Sequence, residues 1–517
     1  MSNGEGLPKG WASARLDEVA DISSNRKVAD LLPETPVNFV PMAAVREEFG
    51  GIDVSALRPY SEVQKGYTQF REGDVLLAKI TPCMENGKVA VVPRLDNECG
   101  YGSTEFHVLR PQSCIAPDWI AHYVSQKGFR REAQRNMTGS AGQLRVPKHW
   151  LQEQYIPVAP SGEQRRIVAK IEELFSDLDA GVAALERVKA KLKRYRAAVL
   201  KAAVEGKLTE AWRKKNRPKE TGQQLLDRIL QERRCRWEEE QLAAYEQAGK
   251  KLPVGWKAKY KEPAGPDESS LPELPEGWCW ASVAQCASRE DYAITDGPFG
   301  SNLKTEHYTD DGPRVIRLQN IGDGNFVEED AHISFHHFTA LQRHAVKHAD
   351  VVIAMLGEML PRACLVPLHI PPAIVKADCV KVTANRSLAL PSFLVVALNS
   401  HPTRIRASAQ IAGVGRPRLN LEKLRPLAIP LPPLSEQQQI IAEVDQRLSI
   451  LQAADLQINA NLKRSARLRQ SILKRAFEGK LVSQDPNDEP ASVLLERIKA
   501  TRENGSPKQI KPARKTK

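Results

Sequence analysis

Lys79, Thr81, Glu85, Asn86 and Lys88 fall within one stretch of ten residues. Together they offer hydroxyl and amide donors, one carboxylate acceptor and two positive charges. That chemistry suits a DNA groove, because donors and acceptors discriminate base edges while cations hold phosphates without reading sequence. Ser103 and Thr104 lie in a second polar loop, Gly102-Ser103-Thr104-Glu105, and Arg145 ends Ser140-Ala141-Gly142-Gln143-Leu144-Arg145. The later half of the chain carries a different set. Ser301 and Lys304 sit in the glycine-rich stretch Asp296–Lys304, Gln319 and Asn320 in Arg317–Ile321, and Arg362 at the basic end of Gly357–Arg362. Arg416 and Arg418 close Gly413–Arg418, which parallels Ser140–Arg145 at an offset of 273 (418 − 145). A plain surface hairpin presents a similar face, so each site reading stands beside that ordinary one.

Catalytic signatures are absent. No Gly-x4-Gly-Lys-Ser/Thr occurs, so the glycine-rich stretch before Lys304 fails the spacing of a nucleotide-phosphate loop. No Gly-x-Ser-x-Gly elbow, His-Glu-x-x-His pair or Asn/Asp-Pro-Pro-Tyr/Phe motif is present. The eight cysteines form no Cys-x-x-Cys pair and no zinc spacing, which reads as ordinary reduced thiols. Histidines cluster only at His332, His336 and His337, a surface or packing patch. The expectation is a non-catalytic chain that holds no metal and no cofactor of its own.

The 517 residues set a prior of about three to four domains, and a hydrophobic share of 41% allows real cores. No apolar run approaches the ~18 residues of a spanning helix, and Met-Ser-Asn-Gly-Glu-Gly at the N-terminus lacks a signal pattern. These features predict a cytoplasmic protein with no membrane partner. A net charge of +12 points to a polyanionic partner without naming one. Part of that charge belongs to the basic tail Lys508–Lys517, expected to be a disordered arm.

The elements that must carry the candidate residues follow from pattern. Asp74–Ile80 and Lys88–Val92 read as strands, and Asn86-Gly87 between them signals a hairpin. Phe106–Leu109 reads as another strand. Glu163-Gln164 opens a helical run closing on Leu200–Leu208, and Glu436-Gln437 opens a second closing on Leu473–Leu481. Matched pairs are offset by 273 throughout (436 − 163, 479 − 206), with no insertion or deletion. Leu7-Pro8-Lys9-Gly10-Trp11 recurs as Leu274-Pro275-Glu276-Gly277-Trp278. Such self-similarity in two copies predicts a pseudo-twofold molecule.

In the first run Ile171, Leu178, Leu185, Leu192 and Val199 form one heptad seam. Ile167, Leu174, Val188, Tyr195 and Ala202 form the other, with Gly181 as a gap. Ile440, Val444, Leu451, Ile458, Leu468 and Ile472 repeat the register in the second run. From Glu163 to Gly206 the run would span roughly 66 Å at 1.5 Å per residue. Gly206 and Gly479 stand where a helix closes on a left-handed residue. Two such helices are expected to pair antiparallel; the ordinary alternative packs each on its own domain. The fold class is α+β: two globular, mixed-β heads joined by two long antiparallel coiled-coil helices in a circular repeat. The predicted segments are 1–150, 151–208, a charged helical linker 209–270, 271–423, 424–481 and a C-terminal 482–517.

With these motifs assembled, the chain resembles the specificity subunit of a type I restriction–modification system over roughly residues 7–500. The resemblance rests on the two Leu-Pro-x-Gly-Trp motifs, the Glu-Gln openings at 163 and 436, the Glu-Gly-Lys-Leu closes at 205 and 478, and the loops Gly100–Phe106 and Gly297–Lys304. The linker 209–270 is long for that family. The resemblance implies two target recognition domains, each reading half of a bipartite site in double-stranded DNA, with the helices fixing the spacer. It implies two methylation subunits bringing S-adenosylmethionine, and two restriction subunits using ATP and Mg2+. Two rivals stand beside it: a pseudo-symmetric coiled-coil protein–protein adaptor, and the specificity partner of another restriction class on the same frame.

Overall fold

The computed structural model describes residues 6–23, 31–140, 142–370, 372–411 and 417–505. The chain divides into two compact units, one running to Glu186 and resuming at Asn459, the other spanning Arg187–Ile458. Each unit holds one globular head and one part of each of two long helices.

The first head is built from β1 (Ala12–Arg15), β2 (Ala20–Ile22), β3 (Pro36–Val40), β4 (Leu57–Pro59), β5 (Thr68–Phe70), β6 (Val75–Ala78), β7 (Val89–Val91), β8 (Gly100–Gly102), β9 (Phe106–Pro111) and β10 (Tyr155–Val158). One sheet runs β2-β9-β6-β7, a second β4-β3-β8-β5, and β1 pairs with β10. Val75-Leu76-Leu77-Ala78 is buried at every position, as an uninterrupted apolar run inside a sheet should be. Gly100 and Gly102 are required by packing: a Cβ at either would strike Phe70 or the backbone of β3.

The second head repeats this topology with β11 (Cys279–Ser282), β12 (Ile294–Asp296), β13 (Tyr308–Ile316), β14 (His332–Ile333), β15 (Ala345–Val346), β16 (Val351–Ala354), β17 (Arg362–Leu365), β18 (Ala373–Val375), β19 (Cys379–Val382) and β20 (Ala428–Leu431). The orders β12-β19-β16-β17 and β14-β13-β18-β15 match those of the first head strand for strand. Register matches too. Leu76 faces Val108 and Val352 faces Lys381, offsets of 276 (352 − 76) and 273 (381 − 108). Each second sheet holds one parallel pair, β3–β8 and β13–β18.

The long helices are Ser161–Val204 and Leu434–Phe477, 44 residues each. Both ends are offset by 273 (434 − 161, 477 − 204), two residues ahead of the expected start. Gly206 and Gly479 close them with φ of 68° and 66°. In the first unit the core joins Ile167 and Ile171 to Ile472, Leu473 and Ala476. In the second it joins Val199, Leu200 and Ala203 to Ile440 and Val444. The start of one helix thus meets the end of the other in both units, the antiparallel matching expected. Both seams depart from expectation in places: Val188 and Tyr195 on the first helix are 44% and 47% exposed, and Leu468 on the second is 45% exposed. A Cβ on Gly181 meets no atom within 4 Å among the described residues, so close approach does not explain that glycine.

The structure also gives the repeated motifs their work. The Trp11 indole donates to Glu163 at 3.0 Å, and Trp278 to Glu436 at 2.9 Å. Gln164 donates to Ala159 O and accepts from Ala116 N. Gln437 likewise donates to Pro432 O and Leu388 O and accepts from Leu390 N. All four side chains of the Glu-Gln openings are buried, so their job is to tie head to helix. Pro8 and Trp11 pack on Gly479, and Pro275 and Trp278 on Gly206, where a Cβ would collide.

Within the stretch 209–270, Gly222–Gln247 is helical, started by a reciprocal cap between Thr221 and Gln224. Leu225, Leu226 and Ile229 anchor it in the core of the second unit. Among the described residues no helix is long and apolar enough to cross a membrane.

Candidate nucleic-acid interface

In the first head β6 and β7 form the expected antiparallel hairpin, Val75 facing Val91. The loop between them is a coil of successive turns rather than a two-residue Asn-Gly turn. Met84 N donates to Ile80 O, Asn86 N to Pro82 O and Lys88 N to Cys83 O, each at 3.0–3.1 Å. Gly87 alone in this loop takes a left-handed φ, 73°. Met84 is buried beneath the loop with Ala133 and Val146, which gives the finger its own small core.

Several candidates in this loop are partly engaged within it. Thr81 Oγ1 donates to Glu85 at 2.6 Å, Asn86 Nδ2 to Glu47 at 2.8 Å, and Lys88 Nζ to Met42 O at 3.2 Å. Asn86 is exposed, and Lys79, Thr81, Glu85 and Lys88 are half-buried. Ser103 accepts from Glu105 N, and Thr104 is exposed beside it. Arg145 grips Glu105 through two bonds of 2.9 and 2.8 Å, which hold that carboxyl below its ordinary pKa. The backbone bridge Ile80–Arg145 and the bond Thr81 N to Leu144 O bring the loops together. Lys79, Thr81, Ser103, Thr104 and Arg145 therefore share one rim of the first head.

The second head builds the same rim from other residues. Leu356 bridges Arg418 as Ile80 bridges Arg145, and Gly357 N donates to Pro417 O as Thr81 N does to Leu144 O. Arg418 pairs with Asp378 at 2.8 Å. Positions 418 and 378 lie 273 beyond 145 and 105 (418 − 145, 378 − 105), so the ion pair is itself repeated. Arg418 also lies 5.3 Å over the Phe299 ring, bringing the glycine-rich loop alongside. Gly297 lets that loop cross Lys376, whose backbone a Cβ would strike. Ser301 and Lys304 are exposed there, Lys304 near Glu306 at 3.6 Å. Arg362 donates to Leu318 O at 3.0 Å, and Gln319 is exposed beside Arg317.

One expectation changes here. Asn320 is fully buried; its amide donates to Val327 O and Glu329 O and its oxygen accepts from Arg317 N. With its polar groups spent on its own loop, it shapes the segment and faces no ligand. Arg416 lies outside the described residues. Sequence reasoning also passed over Arg130 and Arg404, two inward-pointing arginines under the hairpin loops, because nothing local marks a buried arginine. Glu105 and Asp378 carried a signal, since the 273 offset matches acid to acid.

The chain matches the family described as the type I restriction modification DNA specificity domain over residues 8–192 and 368–464. It is 28% identical over 488 residues to the EcoAI type I restriction enzyme specificity subunit of Escherichia coli, covering 85% of this chain and 78% of that one. It is 24% identical over 531 residues to the EcoKI specificity subunit of Escherichia coli strain K12, covering 97% of each. A chain solved in work on complex assembly and conformational transition of the type I R-M system aligns at TM-score 0.58 and 20% identity, over 92% of this chain and 99% of that one.

Proposed function

The chain belongs to the type I restriction–modification DNA specificity family, and we propose on that footing that it reads a bipartite DNA site. Each head, residues 1–150 and 271–423, reads one half of the site through its rim. The paired helices set the gap between halves and dock two methylation subunits, which supply S-adenosylmethionine. Two restriction subunits with ATP and Mg2+ complete the cutting complex.

The observation that supports this best is a repeated platform under unlike loops. Topology and register recur, and the Arg–acid pair recurs at an offset of 273, yet the first rim carries Thr81, Glu85, Asn86 and Thr104 where the second carries Ser301, Lys304 and Gln319. A shared mount with different contact chemistry is what two different half-sites require. Arg145, Arg362 and Arg418 combine charge with loop positioning, and Lys79, Lys88 and Lys304 supply phosphate contact.

The spacer claim has a direct test. Deleting four residues from each long helix removes about 6 Å, which should shorten the gap by roughly one to two base pairs. Mapping methylated sites before and after reads the gap. An unchanged gap would refute the ruler while leaving the half-site assignments standing.

A further inference from the structure

Beneath each hairpin loop lies a buried arginine that none of the rim chemistry uses. Arg130 is on the helix Lys127–Arg135 and Arg404 on His401–Ala409, nine residues each. Their side chains are only 6% and 14% exposed, too enclosed to serve as surface cations. Arg130 donates to Glu85 O at 2.8 Å and to the Glu48 carboxylate at 2.6 Å. Arg404 donates to Pro361 O at 3.0 Å, to Asp323 at 2.7 Å and to Asn399 at 3.1 Å. The correspondence is close: arginines 274 apart (404 − 130), carbonyls 276 apart (361 − 85), acids 275 apart (323 − 48). Two diverged heads thus keep one device, a guanidinium joining a hairpin-loop carbonyl to an acid on a neighbouring loop.

We infer that Arg130 and Arg404 are positioning residues that fix the backbone of the two hairpin loops and thereby set half-site selectivity, an inference resting on the bipartite reading above. The geometry explains the chemistry of the choice. A planar fork can serve a carbonyl and a carboxylate at once, which a lysine ammonium does with far less orientation. In the first head the guanidinium lies against Gly87, where a Cβ would come within 2.5 Å of its Nη1. Glu48 is presented from a left-handed backbone, φ 46°, and its neighbour Glu47 receives Asn86. The loop tip is therefore held from both its carbonyl and its side chain. In the second head Asn399 bonds both N–H and C=O of Ala363, anchoring the strand into which the loop runs.

The test uses the full chain in its methyltransferase complex, with duplexes carrying the mapped site and single base changes in one half. Arg130→Lys should lower discrimination at the first half-site by about tenfold or more and leave the second within about twofold, on the scale of one base contact. Arg404→Lys should do the reverse. The salt dependence of binding should not change, because no phosphate contact is lost. Glu48→Gln and Asp323→Asn carry the same test, with smaller losses at the same halves, if either lysine variant misfolds. Undiminished discrimination in folded variants would overturn the inference, as would equal loss at both halves. A salt slope lowered by about one would also overturn it, marking direct phosphate contact instead. Wild-type complex with no half-site preference would overturn the bipartite reading and the inference with it.

Discussion

The two units bury the same carboxylate and neutralise it differently. Glu436 accepts from Trp278, from Thr209 at 2.6 Å and from Arg213 at 2.9 Å. Glu163 accepts from Trp11, and its Oε1 has no hydrogen-bond partner among the described residues, although the Gln484 amide lies near. The cause is readable 273 residues on: Thr209 and Arg213 correspond to Val482 and Pro486 (482 − 209, 486 − 213), which bring neither donor nor charge. Burial consequently raises the pKa of Glu163. A repeat preserves the buried acid because the tryptophan and helix start depend on it, while its charge balance is left to whatever follows the other helix.

Removing the cation should separate the units most. Arg213 is 19% exposed and Glu436 1%, so Arg213→Met strands a buried charge, and about 3–5 kcal/mol of stability should go from the second unit. Urea unfolding followed by hydrogen exchange would assign the loss; a change spread over both units would break the contrast.

Acid should act on the first unit. His122 packs against Phe49 and Phe175, and burial pushes its imidazole down to about 4. The unfolded chain then binds a proton the folded one refuses, so stability falls as pH drops from about 6.5 toward 4. The slope approaches 1.4 kcal/mol per pH unit, about 2 kcal/mol by pH 5. His122→Gln should remove most of that loss in melts at pH 7 and 5, and an unaltered loss would place the titration elsewhere.

The smallest effect is expected at Glu163. Its raised pKa has the opposite sign: the folded state holds the proton more tightly, so ionisation costs stability as pH rises above about 4.5. Glu163→Gln should change stability by under about 1 kcal/mol at pH 7, whereas Glu436→Gln, facing Arg213, should cost more. Equal costs in paired melts would erase the difference between the two centres.

Local patterns made the frame legible. Heptad spacing, the paired Glu-Gln openings and Gly206 with Gly479 located both helices within two residues. Apolar runs on either side of Asn86-Gly87 located the hairpin. What stayed hidden depends on distant partners. Asn320 looks like a reader until Val327 and Glu329 occupy its amide. Arg130 looks like any helical arginine until Glu48, 82 residues away, and Glu85 close around it. Val188 and Tyr195 obey the heptad yet stay exposed, because periodicity names a face without naming what covers it.

A single-molecule map of methyladenine in host DNA, with and without this chain, tests the central claim most directly. The account expects loss of one motif made of two short specific halves around a fixed gap. A lost motif that is continuous, or an unchanged map from a complex shown to methylate, would contradict it.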